Sequence, residues 1–423
     1  MLLVGSSVED WDDETWRRRV RDSIEAEGDS PAARLAESTF YVKADVTAAG
    51  DLRRVLDRVE GQLVIYFALP PEVAIAACKA LREIGCPEGT RLALEKPFGR
   101  DAESAAAFNE LLEQIVPESR IFRVDHFLGL STVMNIAGLR FANRVLEPVL
   151  NSHHVSSVEI VWDEDLALEG RAGYYDHAGA LVDMIQSHLL QVTAVLAMEP
   201  PPAINAVEVR DGTARVLRAA GIWKEDPVRF SRRARYSAGA VDGRKLPAYA
   251  EEDGVDPDRG TETFAEVALE LNTWRWRGVP FRLRSGKALG NPRKEAIINF
   301  REPEWLPTGF TGDAGHNRLR IGLGFGADTL RFDLEVNGPG DPRELEQTTL
   351  EAELGAGYLS EYGEVLKGIL DDNPTLSVRG DAAVECWRII EPIRQAWHDG
   401  KVPLQEYPAG SGGPSGWPEA GLP

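Results

Sequence analysis

The sequence predicts two domains: an α/β domain that is an incomplete doubly wound fold, and a larger α+β domain with a mainly antiparallel sheet and helices. Strands alternate with helices early in the chain, which is typical of a parallel sheet, and this alternation ends near residue 155. Length is the third observation, because 423 residues that are 43% hydrophobic can fill two cores. We place the first domain at residues 1–135 and the second at residues 136–423.

The first domain opens with a short apolar run and then a helical stretch that begins near Asp12. Two later apolar runs are bounded by turn residues, and Asp101 is a good helix N-cap. We predict strands at residues 1–5, 62–68 and 91–95, and helices at 12–27, 74–84 and 102–115.

The second domain carries many strand patterns without a matching number of helices between them. We predict a helix at residues 179–197 and strands at 158–162, 266–271, 280–284, 296–300 and 319–323. The tail from Tyr407 is rich in Gly, Pro and Ser, so we expect it to be extended and partly mobile with little to bury.

Charge and composition exclude several functions. A net charge of -21 argues against nucleic acid or an anionic membrane as partner, because both require a basic face. No run approaches the roughly 20 apolar residues of a membrane helix, and the first residues lack a signal-sequence pattern, so a cytoplasmic location is the default. Cys78, Cys86 and Cys386 lack metal-ligand spacing, so we predict reduced thiols and no metal site.

The front of the chain lacks a glycine-rich turn. A Rossmann-like domain usually begins with a strand and such a turn, whose backbone N–H groups receive a pyrophosphate. The early glycines Gly5 and Gly28 do not belong to a GxGxxG pattern between a strand and a helix. The pattern is that of a domain without its first β-α unit, as in a chain shortened at its N-terminus.

The densest polar cluster is the segment Arg123-Val-Asp125-His126-Phe-Leu-Gly129, at the end of an apolar strand. The glycine lets a ligand approach closely, so Asp125 and His126 are candidate site residues. The residues alone leave open a structural alternative, in which a buried Asp125 accepts local backbone N–H groups.

A second candidate is His188, on a helix with apolar flanks that also carries Asp183 and Gln186. Asp183 and Gln186 share a face at i and i+3, whereas His188 does not join them at α-helical spacing. A functional His188 needs a carboxylate to hold its tautomer, and Asp125 is the candidate. The alternative is an ordinary core histidine.

Two lysines adjoin glycines near strand ends. Lys96 lies in Glu95-Lys-Pro-Phe-Gly-Arg100, and Lys287 lies in Arg284-Ser-Gly-Lys-Ala-Leu289. Either ammonium could meet a ligand as a point charge, although a solvated surface lysine is the simpler interpretation of each alone.

These segments together resemble glucose-6-phosphate dehydrogenases, in family order from Gly5 to about Pro414. The matching motifs are FALPP at 67–71, EKPFGRD at 95–101, RVDHFLG at 123–129, LRFANR at 139–144, EGRAGYYD at 169–176, the His188 helix, TETF at 261–264, WRGVPF at 276–281 and RSGKAL at 284–289.

The resemblance implies oxidation of glucose 6-phosphate at C1 to 6-phosphoglucono-1,5-lactone, with hydride transfer to NADP, or to NAD instead, in the oxidative pentose phosphate pathway. His188 is then the general base, and Asp125 orients it. The resemblance assigns substrate binding to Lys96, His126, Glu164, Asp183 and Lys287, and cofactor binding to Gly5, Ala68, Leu69, Pro70 and Lys96. It also implies a homodimer or homotetramer, formed through the second domain.

Three departures from the family pattern concern ligand binding. The glycine-rich turn is missing, and Val8 stands where the family has an arginine for the 2'-phosphate. Phe127 and Leu130 replace a Tyr and a Lys of the family motif, which removes a hydroxyl and a cation from the 6-phosphate site. Each lost charge-assisted bond costs roughly 1.5 to 3 kcal/mol.

The departures leave two alternatives beside the dehydrogenase. One is a catalytically impaired homologue that binds sugar phosphate as a regulatory or scaffolding subunit. The other is a dehydrogenase for an unphosphorylated or differently phosphorylated sugar.

Overall fold

The computed structural model describes residues 1–24, 28, 30–312, 315–324, 328–355 and 357–415. The chain divides into two compact units, residues 1–124 with 369–374, and residues 125–368 with 375–423. The end of the predicted helix 12–27 and the tail beyond residue 415 lie outside the described residues.

The N-terminal unit alternates strands with helices. Its strands are β1 (Val4–Ser7), β2 (Phe40–Lys43), β3 (Val64–Phe67), β4 (Arg91–Glu95) and β5 (Ile121–Val124). Its helices are α1 (Asp13–Ser23), α2 (Pro31–Ser38), α3 (Ala49–Leu56), α4 (Pro71–Ile84) and α5 (Ala102–Glu113). Asp101 caps α5 as predicted, because its carboxylate accepts the Ser104 N–H at 2.8 Å.

The parallel strands of this unit form two separate sheets. β1 pairs with β2, whereas β3, β4 and β5 pair with one another in that order. β1 and β3 each end a sheet, so the described strands do not form one continuous doubly wound sheet. This arrangement confirms the incomplete Rossmann-like fold predicted from the sequence.

The C-terminal unit is built on a large mixed sheet with the path β14-β17-β16-β15-β13-β6-β12-β11-β8-β19, and β7 pairs with β11 beside it. The described pairings are antiparallel except at β6–β12, β8–β19 and β14–β17. The prediction of a larger, mainly antiparallel domain is therefore confirmed. The strands in chain order are β6 (Val155–Asp163), β7 (Ala220–Ile222), β8 (Ser231–Ser237), β9 (Gly239–Val241), β10 (Arg244–Leu246), β11 (Phe264–Leu271), β12 (Phe281–Gly286), β13 (Lys294–Phe300), β14 (Thr311–Gly312), β15 (Arg318–Gly322), β16 (Asp328–Asn337), β17 (Glu344–Leu354), β18 (Ser377–Val378) and β19 (Leu404–Pro408).

One long helical segment, kinked at Gly179, packs on the central strands of this sheet. It comprises α7 (Ala172–Ala180), a nine-residue π-helix (Leu181–Leu189) and α8 (Leu190–Ala197). The π-helix packs against β6, β11 and β12. Among the described residues, this segment alone is long and apolar enough to cross a membrane, but 94% of its most apolar window is buried, so it is a core helix. The other helices are α6 (Ser131–Phe141), α9 (Ala206–Ala219), α10 (Glu361–Leu370) and α11 (Gly380–His398).

The expectation for the tail is wrong as far as residue 415. Tyr407 is only 1% exposed, and its hydroxyl donates to the Lys287 carbonyl at 2.7 Å. β19 pairs with β8, and the Gly410 N–H donates to the Ala288 carbonyl at 2.8 Å. Glycine here serves close backbone packing, because a side chain at Gly410 would collide with the Ala240 carbonyl.

Candidate active site

The π-helix carries two of the predicted site residues, Asp183 and His188. In an α-helix, residues five apart point about 140° apart, since each residue turns by about 100°. The i→i+5 bonding of a π-helix brings residues five apart much closer to one face. Asp183 and His188 therefore project toward a similar direction, which the α-helical spacing assumed from the sequence did not allow.

Asp125 lies at the N-cap of a short 3-10 turn, His126–Gly129. Its Oδ1 accepts the Phe127 N–H at 3.1 Å, which is the local bond that the structural alternative foresaw. The same oxygen lies 2.6 Å from His188 Nδ1. The structure thus brings Asp125 and His188 together, although 63 residues separate them in the chain.

The contact defines the tautomer of His188. When Nδ1–H donates to the carboxylate, the lone pair of the ring is on Nε2, across the imidazole. Both residues are buried, at 2% exposure for His188 and 0% for Asp125, so the carboxylate needs further donors. Ser187 supplies one, because its hydroxyl donates to Asp125 Oδ2. Sequence reasoning missed Ser187, which precedes His188 directly.

Aromatic rings pack the imidazole. Phe127 stacks on His188 with centroids 4.2 Å apart and planes at 14°, and its ring centroid is 4.4 Å from that of Trp162. His126 meets His188 edge to face at 4.6 Å and stacks on Tyr362 at 5.3 Å. Phe127 therefore has a packing role on the candidate base, in which a phenolic hydroxyl is not required.

Glu164 and Lys287 form a second cluster at the ends of neighbouring parallel strands. β6 and β12 run side by side, and the Glu164 N–H donates to the Gly286 carbonyl at 2.8 Å just beyond them. This register brings Lys287 Nζ to 2.5 Å from Glu164 Oε2. The lysine is 8% exposed, so it is not the solvated surface residue of the simpler interpretation.

Two tyrosines that sequence reasoning did not single out lie between these groups. The Lys287 ammonium lies 5.1 Å from the ring centroid of Tyr175, and burial raises the pKa of Tyr175 well above its usual value, with Asp183 adding to the effect. The Tyr175 hydroxyl has no hydrogen-bond partner among the described residues. Tyr174 hydrogen-bonds Asp183, and burial is the main cause that raises its pKa. The two adjacent tyrosines in the motif EGRAGYYD were the sequence signal that could have identified them.

The predicted cofactor residues lie in the N-terminal unit. Ala68, Leu69 and Pro70 follow β3, and Lys96 follows β4, so all four are at carboxyl ends of parallel strands, where doubly wound folds bind ligands. Gly5, in β1, faces the Trp16 indole, which a Cβ would overlap. Packing therefore accounts for this glycine without a ligand.

Four of the five described helices of this unit begin with acidic residues, and α2 is the exception. The first turns of α1, α3, α4 and α5 each contain a carboxylate, from Asp13 and Glu14, Asp51, Glu72 and Glu103 respectively. A carboxylate in the first turn opposes the positive end of the helix dipole and repels phosphate. The N-termini of these four helices are therefore less suited to a pyrophosphate than that of α2.

Glu262 supports the start of the π-helix. Its Oε1 accepts the Leu181 N–H at 3.0 Å, and its carboxylate fills the space beside Gly179, whose φ is +64°. A side chain at Gly179 would collide with this carboxylate. Burial raises the pKa of Glu262 to about 7.

We expect Glu262→Gln to stabilise the protein increasingly with pH. The pKa rises from 4.5 to about 7, so the charged form costs the folded state on the order of 3 kcal/mol. The folded wild type binds more protons than the unfolded chain between these values, hence its stability falls as pH rises through this window. Gln keeps an acceptor for Leu181 and carries no charge.

The measurement is the free energy of unfolding of variant and wild type at pH 5, 6, 7 and 8. Their difference should increase up to about pH 7 and then level off. Exposed Glu353→Gln is the matched control and should give a flat difference. A flat difference for Glu262→Gln as well would contradict the assignment of a buried, charge-penalised carboxylate.

Comparison with protein families gives two matches that together span almost the whole chain. The model described as "Glucose-6-phosphate dehydrogenase, NAD binding domain" matches residues 1–135. The model described as "Glucose-6-phosphate dehydrogenase, C-terminal domain" matches residues 137–420.

Curated relatives and solved structures agree with these matches. Glucose-6-phosphate 1-dehydrogenase 2 of Mycobacterium tuberculosis is 34% identical over 97% of this chain and 84% of its own. Glucose-6-phosphate 1-dehydrogenase of Gluconobacter oxydans is 35% identical over 97% of this chain and 87% of its own. The crystal structure of glucose-6-phosphate 1-dehydrogenase from Mycobacterium avium superposes with a TM-score of 0.86, at 30% identity, over 97% of this chain and 88% of that one. A glucose-6-phosphate dehydrogenase solved with its substrate glucose 6-phosphate gives 0.84 at 27% identity, over 98% and 88%.

Proposed function

The chain belongs to the glucose-6-phosphate dehydrogenase family, and from that membership we propose that it oxidises glucose 6-phosphate at C1 to 6-phosphoglucono-1,5-lactone. The observation that carries the proposal is the 2.6 Å contact between Asp125 Oδ1 and His188 Nδ1, both buried, in the same unit as the Glu164–Lys287 pair. A positioned carboxylate and imidazole are the groups that removal of a hydroxyl proton requires.

His188 Nε2 takes the proton of the C1 hydroxyl as C1 loses its hydride, so the C1–O bond becomes the lactone carbonyl. Ala68, Leu69, Pro70 and Lys96 would hold NADP, or NAD in its place, which would supply the acceptor of the hydride. The imidazolium that forms is stabilised by Asp125, whose ionised form also holds the ring in position. Ser187 and the Phe127 N–H keep the carboxylate oriented while the charge on the imidazole changes.

The sugar is held by residues from several elements. His126 and Lys287 bind the 6-phosphate, and Glu164 and Asp183 accept hydrogen bonds from the sugar hydroxyls. The resemblance adds Lys96, half-buried after β4, as a contact to the hydroxyls near the reacting carbon. Lys287 is ion-paired with Glu164. Binding of the phosphate to Lys287 is therefore coupled to the orientation of the Glu164 carboxylate, which accepts a hydrogen bond from the sugar.

We expect Lys287→Gln to raise the KM for glucose 6-phosphate by about tenfold to a hundredfold, the value of one charge-assisted bond. Gln still offers a donor to Glu164, so the loss reports mainly the missing charge on the 6-phosphate. Steady-state kinetics measure it, and kcat should fall much less than kcat/KM. Exposed Lys401→Gln is the control. An unchanged KM would remove Lys287 from the phosphate site.

The test of the function is the reduction of NADP and of NAD, followed by the absorbance of the reduced nicotinamide in the presence of glucose 6-phosphate, with glucose as a second substrate. Reduction that requires the 6-phosphate supports the proposal. Equal rates with glucose would favour a dehydrogenase for unphosphorylated sugar, in line with the apolar Phe127 and Leu130. No reduction with either cofactor and either sugar overturns the enzymatic proposal.

A second candidate is a catalytically impaired homologue that binds sugar phosphate as a regulatory or scaffolding subunit. The carboxylates in the first turns of α1, α3, α4 and α5 favour it, because they oppose binding of a pyrophosphate. Calorimetry separates the two: this candidate predicts heat from glucose 6-phosphate, none from NADP or NAD, and no turnover.

Three further properties belong to the proposal. Residues 1–135 form the NAD(P)-binding domain, and residues 136–423 form the domain for substrate and oligomer contacts. The protein acts in the cytoplasm, in keeping with its acidic charge and buried core helix. It forms a homodimer or homotetramer through the large sheet, as the family resemblance implies. Light scattering would measure the number of chains.

A further inference from the structure

A cavity of about 330 Å3 lies in the C-terminal unit, at the start of the helical segment that carries His188. Gly179, Leu181 and Val182 line one side of it. Asp125, His188, Glu164 and Lys287 are not among its described lining residues, so it is separate from the sugar site. Its volume is within the range of about 300 to 1,000 Å3 typical of small-molecule pockets.

The opposite walls present three arginines from different elements: Arg233 of β8, Arg259 and Arg394 of α11. Arg259 pairs with Asp176 and Asp256, and Arg394 pairs with Glu391 at 2.9 Å. These two guanidinium groups therefore already share their charge with carboxylates.

Arg233 differs from the other two. Its Nε donates to the Val402 carbonyl at 3.1 Å and its Nη2 to the Trp397 carbonyl at 3.0 Å. No carboxylate lies within ion-pair distance of it among the described residues. A guanidinium has five N–H donors, so donors of Arg233 remain after these two bonds. A half-buried cation held by carbonyls beside a cavity attracts an anion.

Glu262 also lines the cavity, and its carboxylate favours a ligand group that donates hydrogen bonds. Glu262 is 7% exposed, and its Oε1 accepts the Leu181 N–H. A carboxylate of this kind accepts hydrogen bonds from a hydroxyl or ammonium group, and repels a ligand that presents negative charge alone to it. The walls together fit a small molecule with an oxyanion at one end and hydrogen-bond donors at the other.

We propose that this cavity is a second small-molecule site, in which Arg233 binds the oxyanion, phosphate or carboxylate, of a hydroxylated or aminated ligand and Glu262 accepts its donors. The site is independent of the proposed dehydrogenase activity, since it needs neither turnover nor the sugar site. Leu181 and Val182 connect it to Asp183, the next residue of the π-helix.

The test is calorimetric titration of the full chain with inorganic phosphate and, separately, with malonate as the carboxylate probe. Two phosphate sites are expected on the wild type. Lys287→Gln should weaken the sugar-site phosphate and leave the other in place, whereas Arg233→Ala should weaken the other at least tenfold. If Arg233→Ala weakens the binding of phosphate, the oxyanion is a phosphate, and if it weakens the binding of malonate, the oxyanion is a carboxylate. Absence of any binding of either probe that depends on Arg233 overturns the proposal.

Arg233 also supports the backbone of Val402 and Trp397, so its replacement can disturb folding. Glu262→Gln avoids this difficulty, because it keeps the Leu181 acceptor and removes a negative charge that repels the anionic probes anywhere in the cavity. It should tighten binding of the Arg233-dependent probe severalfold. Unchanged or weaker binding in a folded Glu262→Gln variant overturns the proposal on its own.

Discussion

Replacing His188 by Asn is expected to reduce kcat by about a hundredfold to ten-thousandfold, the contribution of a general base. The asparagine amide has no group that can accept the C1 hydroxyl proton near neutral pH, whereas its shape and polarity resemble those of the imidazole edge that contacts Asp125. Steady-state assays of NADP or NAD reduction measure kcat, and calorimetry with glucose 6-phosphate measures binding, which should change by less than about threefold.

The control for this substitution is exposed His153→Asn, just before β6, where the histidine contacts the ring of His154. It should retain wild-type kcat. A His188→Asn variant that turns over at the wild-type rate would exclude His188 as the base. Loss of both kcat and substrate binding would instead indicate that the substitution disrupts the buried site as a whole.

Replacing Asp125 by Asn is expected to lower kcat by about a hundredfold or more, because an imidazolium that forms in the reaction then lacks its anion. The amide is isosteric but has one oxygen, so it keeps either the Phe127 N–H and His188 contacts of the Oδ1 position or the Ser187 bond of the Oδ2 position. In the second orientation the amide NH2 faces His188 Nδ1 and favours the wrong tautomer. Binding of glucose 6-phosphate should remain.

The pH profile distinguishes this role from simple damage to the site. An imidazole that loses a neighbouring anion is protonated at lower pH, so the acid limb of log kcat/KM should move to lower pH in Asp125→Asn. A lower kcat with an unmoved acid limb would contradict an electrostatic action of Asp125 on His188. Exposed Asp399→Asn controls for the loss of one charge.

Several features of the fold were predictable because they depend on local periodicity. The apolar run at 91–95 coincides with β4, and Asp101 caps α5 through Ser104. The loss of alternation after residue 155 correctly indicated a change from parallel to mainly antiparallel pairing. Asp125 and His188 were also predictable, because both lie in motifs that resemble those of the family.

Other features depend on three-dimensional packing and left no periodic signal. Nothing in LVDMIQSHL indicates a π-helix, because its composition suits an α-helix equally well. Ser187 and Glu262 are ordinary polar residues until the fold brings them to Asp125 and to Leu181. The tail was misjudged since Tyr407 finds its partners, Thr263 and Lys287, far away in the chain.

The sequence predicted that a β-α unit is missing, but it did not predict that β1–β2 and β3–β4–β5 form separate sheets. The sequence shows only that the glycine-rich turn is missing. The pairing order of the described strands shows which strands lie at sheet edges. β1 and β3 each end a sheet, and such edges offer unpaired backbone groups to other strands.

The π-helix has a consequence for attempts to improve this protein. Its wide turns are less favourable than α-helical ones, so this segment is a place where heat resistance and chemistry conflict. Selection for thermal robustness alone would favour substitutions that tighten residues 181–189 into an ordinary α-helix. Such a change would rotate Asp183 and His188 away from each other, so under the proposed mechanism the most heat-resistant variants would lose activity.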